Sequence, residues 1–211
     1  MRVVLTILIL IPLTRCYGQM PLGTGVVKIA FDGKTVIDFY KHPTDKAHFK
    51  RVEFFNDIEI NSWNIKNLEI EKAWLNPEII WLDYSQFNFR CKSTTTDWLE
   101  LIVNNETGLT LWIKRTKATT YLTWEQYLKD ASQVDRLKET KQKIRKRPND
   151  NADEIKYERQ DCFQVKSMQG DWIEIFTPDT CDEVDEKSKV KSGWIKWRDG
   201  DRLLIEYYTS C

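Results

Sequence analysis

One stretch of this chain occurs twice. Phe89 to Leu101 reads Phe-Arg-Cys-Lys-Ser-Thr-Thr-Thr-Asp-Trp-Leu-Glu-Leu, and Phe163 to Ile175 reads Phe-Gln-Val-Lys-Ser-Met-Gln-Gly-Asp-Trp-Ile-Glu-Ile. The copies lie 74 positions apart (171 − 97) without a gap. After a loop each is followed by a related tetrad, Leu111-Trp112-Ile113-Lys114 and Gly193-Trp194-Ile195-Lys196. A self-similarity of this kind sets architecture before any single residue does. It implies two related small β modules.

Parity within the copies assigns faces, because residues two apart on a strand share a side. Leu99 and Leu101 fall together, as do Ile173 and Ile175, and these form the expected core face. Trp98 with Glu100, and Trp172 with Glu174, take the opposite face. Ile113 and Ile195 point inward, while Trp112 and Trp194 lie on the side of Lys114 and Lys196. An aromatic beside a charge on an outer face is either half-packed under a loop or open to a ligand.

Residues 1–18 have another character. Arg2 gives a positive start, Val3 to Leu13 is almost all apolar, and Cys16-Tyr17-Gly18 offers small residues at two positions before Gln19. The apolar run is too short to span a bilayer with ease, so the pattern is that of a signal peptide cut after Gly18. A second reading makes Cys16 a lipoprotein cysteine, although Arg15 is the wrong size beside a lipidated Cys. No later stretch is apolar enough to cross a membrane. With 32 basic and 32 acidic side chains the chain is formally neutral. Loss of residues 1–18 removes Arg2 and Arg15 and no acid, which leaves a net charge near −2. That balance gives no general electrostatic reason to expect nucleic acid or an anionic membrane as partner.

Four cysteines then remain. Cys91 aligns with Val165 and shares the parity of Phe89, as a buried thiol would. Cys162, Cys181 and Cys211 all fall in the second module, so any bridge is expected among them, with the pair undetermined. No CxxC or CxxH spacing supports a metal site, and no cofactor is expected.

Along the rest of the chain, Val26 to Phe31 and Thr35 to Tyr40 flank Asp32-Gly33 and read as a hairpin. Arg51 to Ile60 reads as a strand broken at Asn56-Asp57, Asn61 to Asn67 as a surface loop, and Ile79 to Asp83 as a strand. Thr123 with Gln126 makes a capping-box pattern, and Trp124, Tyr127, Leu128, Ala131, Val134 and Leu137 recur at helical spacing. A helix from Trp124 to about Arg147 is therefore expected, stopped by Pro148. Its later half, Lys138 to Arg147, is basic and reads as a solvated face. Asp182, Glu183, Asp185 and Glu186 lack the spacing of a calcium loop and read as a solvated loop. Asn105-Glu106-Thr107 reads as a turn.

The motifs Gly170-Asp171-Trp172-Ile173-Glu174-Ile175 and Gly193-Trp194-Ile195-Lys196 resemble the bacterial SH3-like module. In that family a Gly-x-Trp-hydrophobic strand pairs with a Gly-Trp/Tyr-Val/Ile strand. Asp97-Trp98-Leu99-Glu100-Leu101 with Trp112-Ile113 resembles a second, more diverged instance, with Leu111 where the family has Gly. Tyr40-Lys41-His42-Pro43 sits where the family often begins. The arrangement is also similar to secreted proteins of Bacteroidetes-type bacteria. The resemblance implies a mainly β chain of two small SH3-like barrels joined by an α-helix. The expected division is a signal peptide at 1–18, a first module at 26–122, a linker helix at 123–148 and a second module at 157–211.

The resemblance also implies function. SH3-like modules of exported proteins suggest cell-wall peptides, glycan stems or partner proteins as ligands. The expected ligand-facing aromatics are Tyr40, Trp74, Trp112, Trp194 and Trp197, with Lys114, Lys196 and Arg198 at the rim. Trp197 shares the parity of Ile195, which favours packing instead. The chain therefore reads as an exported, periplasmic or envelope-associated binding or scaffold protein without enzymatic activity. A cell-envelope hydrolase or its accessory subunit is the alternative. Against it, His42 and His48 are the only histidines, neither has a Cys nearby in sequence, and no Gly-rich phosphate loop exists.

Overall fold

The computed structural model describes residues 21–181 and 188–209. Residues 1–18, with their cleavage site and Cys16, lie outside that range, as do Asp182 to Glu186 and Cys211. The described chain is mainly β. No described helix is long and apolar enough to cross a membrane.

The first half opens with β1 (Gly25–Ile29), β2 (Val36–Phe39), β3 (Lys50–Asp57) and β4 (Ser62–Ile65). A short helix α1 (Leu68–Glu71) and β5 (Ile79–Trp81) follow, and then come β6 (Gln86–Thr94), β7 (Trp98–Asn104), β8 (Leu109–Lys114) and β9 (Thr119–Thr123). Helix α2 (Trp124–Lys129) leads to the second half. That half contains β10 (Gln133–Arg136), β11 (Ile144–Arg145), β12 (Glu154–Ile155), β13 (Gln164–Gln169), β14 (Trp172–Phe176) and β15 (Gly193–Lys196). The hairpin β16 (Arg198–Asp199) with β17 (Arg202–Leu203) precedes the last strand, β18 (Ile205–Tyr208).

The repeat is larger than the sequence reading proposes. In the first half the sheet order β8-β7-β6-β1-β9 is joined by a Tyr40–Trp112 bridge to the sheet β2-β3-β4. In the second, β12-β11-β15-β14-β13 is joined by a Val134–Phe163 bridge to the pair β10-β18. Read through the bridges, both halves give one order of seven strands: β3-β2-β8-β7-β6-β1-β9 and β12-β11-β15-β14-β13-β10-β18. Registers agree as well. Phe39 opposite Lys50 matches Ile144 opposite Ile155, and Val27 opposite Tyr121 matches Val134 opposite Tyr207. The ladder slips between Cys91 and Ser93 in the first half and between Val165 and Ser167 in the second, the same place 74 positions on (165 − 91). A bulge held at one position in both copies is a designed feature of the strand.

Parity holds. Leu99, Leu101, Ile173 and Ile175 are fully buried, while Trp98 and Trp172 are half-buried. Phe89 and Phe163, the first residues of the two copies, are fully buried in separate cores. Strand β1 serves both cores, because Val27 and Ile29 pack into the first and Val26, on its other face, into the second. Glu78 ties the halves. It accepts from Arg90, from Asn105 Nδ2 at 2.7 Å and from the Tyr207 hydroxyl.

Several expectations are corrected. The strands form open sheets meeting through single bridges, and no barrel closes among the described residues. The helix expected to run to Arg147 ends at Lys129. Its start is as read: Thr123 Oγ1 accepts from Gln126 N, and the Gln126 side chain accepts from Thr123 N at 2.9 Å. Beyond it, Val134 is buried against Phe163 in a strand pair. The apolar spacing of Ala131, Val134 and Leu137 offers too few contacts to hold a helix whose next ten residues are mostly cationic. Long-range pairing therefore takes that stretch, and β10 and β11 belong to the second repeat.

Val26–Phe31 and Thr35–Tyr40 do not form a hairpin, since β1 pairs with β6 and β9 and β2 pairs with β3. Asp32 turns the chain between sheets, accepting from Lys34 N at 2.9 Å and Thr35 Oγ1 at 2.8 Å. The expected loop at Asn61 to Asn67 contains β4, paired with β3 and bracketed by Asn61 and Asn67 at positive φ. Asn tolerates that conformation better than most residues, which is why the polar sequence resembles a loop.

Candidate functional site

The face opposite the cores carries the same side chains in both halves. In the first, Trp98 lies opposite Lys114 and Glu100 opposite Trp112. In the second, Trp172 lies opposite Lys196 and Glu174 opposite Trp194. Each lysine sits over the Trp across from it, Lys114 Nζ at 5.6 Å from the Trp98 ring centre and Lys196 Nζ at 5.3 Å from that of Trp172. This is a cation–π pairing.

Each glutamate is held by the same grip. Glu100 accepts from Ser93 Oγ at 2.8 Å and Thr110 Oγ1 at 3.0 Å, and pairs with Lys92 Nζ at 2.9 Å. Glu174 accepts from Ser167 Oγ at 2.8 Å and Ser192 Oγ at 2.7 Å, and faces Lys166 Nζ at 3.4 Å. Burial alone would raise the Glu100 carboxyl, but the bonds from Lys92, Ser93 and Thr110 outweigh it and hold the pKa low. The Ser192 and Ser167 hydroxyls do the same for Glu174. Ser93 and Ser167 stand at the bulge, so the bulge aims a hydroxyl at the glutamate on the next strand.

The sequence candidates divide. Tyr40 joins the first face, edge-on to Trp98 at 5.3 Å with its backbone bonded to Trp112. Trp112, Trp194 and Lys196 are half-buried on these faces, and Lys114 is exposed. Lys196 is also tied to Asp150 at 2.7 Å. Two candidates are core residues instead. Trp74 packs edge-on to Phe39 at 5.2 Å and donates its indole N–H to Glu71. Trp197 packs on Trp124 at 5.6 Å and donates to Gly170 O at 3.0 Å. Arg198 covers Trp197 at 4.9 Å and pairs with Asp171 at 2.7 Å.

The candidates omit Trp98 and Trp172, the rings at the centre of each face. They also omit a second repeated motif. Lys41-His42-Pro43-Thr44-Asp45-Lys46-Ala47 matches Lys146-Arg147-Pro148-Asn149-Asp150-Asn151-Ala152 in a shared Lys-x-Pro-x-Asp-x-Ala pattern, in the loops between β2 and β3 and between β11 and β12. This signal was present in the sequence, but assigning 123–148 to a helix hides it. Gly193 has its own reason. A Cβ there would lie 2.4 Å from Ile144 Cγ2, so β11 can pack against β15 only because that position lacks a side chain.

Other chemistry is placed as follows. Cys162 and Cys181 form a disulfide, Cα to Cα 6.3 Å, and Cys91 is free and buried, its thiol pushed up to about 12 by burial. His48 Nδ1 lies 3.6 Å from Asp38, which Arg51 already holds at 2.7 Å. His42 contributes its backbone N–H to Asp45. No group of metal-ligating side chains occurs among the described residues. A polar cleft of about 830 Å³ opens in the second half between β10, β18 and the 138–161 segment, and none of the eight candidates lines it. Comparison with protein-family models, with curated proteins and with solved structures finds no match.

Proposed function

We propose that the protein is an exported, non-enzymatic binding or scaffold protein built from two SH3-like modules, with cell-wall peptide as ligand. The observation that carries this reading is the paired Trp–Lys face, Trp98 with Lys114 and Trp172 with Lys196, present in both halves at one register. A half-buried indole beside an ammonium offers apolar contact and a charge-assisted hydrogen bond to an extended peptide with carboxylates. The seven-strand order held in common supports two related modules, and the Pro-containing loop repeated after the second strand of each half supports the SH3-like reading. The Cys162–Cys181 disulfide supports export, since such bonds persist in oxidising compartments.

Retention of the protein on purified peptidoglycan tests the proposal. Wild type is expected to be retained, and Trp98→Ala/Trp172→Ala to be released at lower salt. Lys114→Glu and Lys196→Glu, which leave the rings in place, are expected to weaken retention in the same direction. Absence of wild-type retention, or retention unmoved by both pairs, would contradict it.

A further inference from the structure

The two halves share a frame but differ at one edge. Where β1 and β9 set Lys28 opposite Thr120, β10 and β18 set Asp135 opposite Glu206. Like charges directly opposite on an antiparallel pair destabilise it, and the first half shows that the frame does not require them. The next position differs too. Ile29 is packed in the first core, whereas its counterpart Arg136 lines the 830 Å³ cleft.

The cleft is assembled around that arginine. Arg136 grips Asp161 with Nε at 2.8 Å and Nη2 at 2.7 Å, and gives Nη1 to Gln142 O at 3.0 Å. Asp161 is thereby satisfied. Asp135 accepts from Gln133 Nε2 at 2.8 Å, and Glu206 from the Tyr208 hydroxyl at 3.2 Å. Each carboxylate keeps lone pairs to spare, and no cation among the described residues lies within ion-pair distance of either. Burial raises the Asp135 carboxyl, and the neighbouring Asp161 and Glu206 raise it further, against the lowering by the Gln133 hydrogen bond and by Lys138. Lys138 and Lys141 stand on the same cleft, on the turn after β10. Neither forms an ion pair among the described residues, whereas Lys143 beside them is paired with Glu154 at 2.7 Å. The cleft therefore carries carboxylates and ammonium groups that stand outside any ion pair among the described residues, in a volume typical of small-molecule sites.

We propose that this cleft binds a short zwitterionic peptide, its ammonium group received by Asp135 and Glu206 and its carboxylate by Lys138 and Lys141. The site lies apart from the Trp–Lys faces, and the inference does not rest on the function proposed for them.

Titration calorimetry of the whole protein with trialanine, N-acetyl-trialanine and trialanine amide tests it. Trialanine is expected to bind saturably at one site, and either cap to weaken binding by about tenfold or more, as loss of a charge-assisted hydrogen bond does. Asp135→Asn/Glu206→Gln is expected to abolish the penalty of the acetyl cap, and Lys138→Ala/Lys141→Ala that of the amide cap. Removing the opposed charges is expected to leave the melting temperature unchanged or raised, so lost binding would not reflect lost fold. Glu206→Gln alone carries the test if Asp135→Asn fails to fold. No saturable binding of trialanine, equal affinity for the capped peptides, or wild-type affinity in the charge-removing variants would each overturn the proposal.

Discussion

The two halves use one strand order for different surroundings. In the first, the frame is elaborated between its third and fourth strands, where β4, α1 and β5 are inserted. In the second, the insertion falls between β14 and β15, with the small hairpin of β16 and β17 further on. Tyr40 stands beside Trp112 in the first half and Arg145 beside Trp194 in the second. Among the described residues the Lys114 ammonium has only its ring contact, whereas Lys196 is also anchored by Asp150. The shared part is the buried alternation, the bulge and the serine–glutamate grip. The variable parts are loops and edges, where change costs little packing and function concentrates.

The comparison can be broken most forcefully in the cores. Phe89 and Phe163 occupy matched, fully buried positions. Phe89→Ala and Phe163→Ala should each cost about 3–5 kcal/mol in denaturant unfolding. Costs that differ widely would mean the positions are matched in register but not in packing. Next comes an asymmetry. Reducing Cys162–Cys181, a bridge across 19 positions, should destabilise the second half by about 3 kcal/mol. Hydrogen exchange should then quicken in β13 and β14 and leave β6 and β7 unchanged.

The glutamate grips should respond alike and more weakly. Glu100→Gln and Glu174→Gln are each expected to cost about 1–2 kcal/mol. Both carboxyls have a folded pKa below the unfolded value of about 4.3. Their contribution is thus present above that pH and lost as pH falls through the lower folded value. The wild type should lose stability there faster than the double variant, and equal slopes would show that the grips contribute nothing. Smallest is the cap between the halves, where Thr123→Ala should cost about 1 kcal/mol.

Much of the fold was legible because burial writes a period into sequence. Leu99, Leu101, Ile173 and Ile175 could be placed by parity alone, and Cys91 by its alignment with Val165. Capping chemistry is equally local, so the start of α2 at Thr123 was readable. Its end was not, because Val134 is held by Phe163, nearly thirty positions away, and apolar spacing over one turn fits a strand as well as a helix. That one error concealed β10, β11, β12 and the second Lys-x-Pro-x-Asp-x-Ala loop. At the candidate site, Lys114 and Lys196 were visible as outward charges. Their stacking on Trp98 and Trp172 depends on cross-strand register, which neither strand encodes alone. Trp74 looks like a ligand ring in a list of aromatics, yet it has a buried partner and a bonded indole N–H, whereas Trp197 is buried as its shared parity with Ile195 indicates.

The central claim is that one seven-strand unit occurs twice, the second beginning at β10. Backbone NOE spectroscopy across residues 133–155 tests it most directly. The account predicts cross-strand contacts of Val134 with Phe163, Arg145 with Trp194 and Ile144 with Ile155, mirroring Val27 with Phe89, Tyr40 with Trp112 and Phe39 with Lys50. Sequential helical contacts running from Ala131 to Arg147 would contradict it.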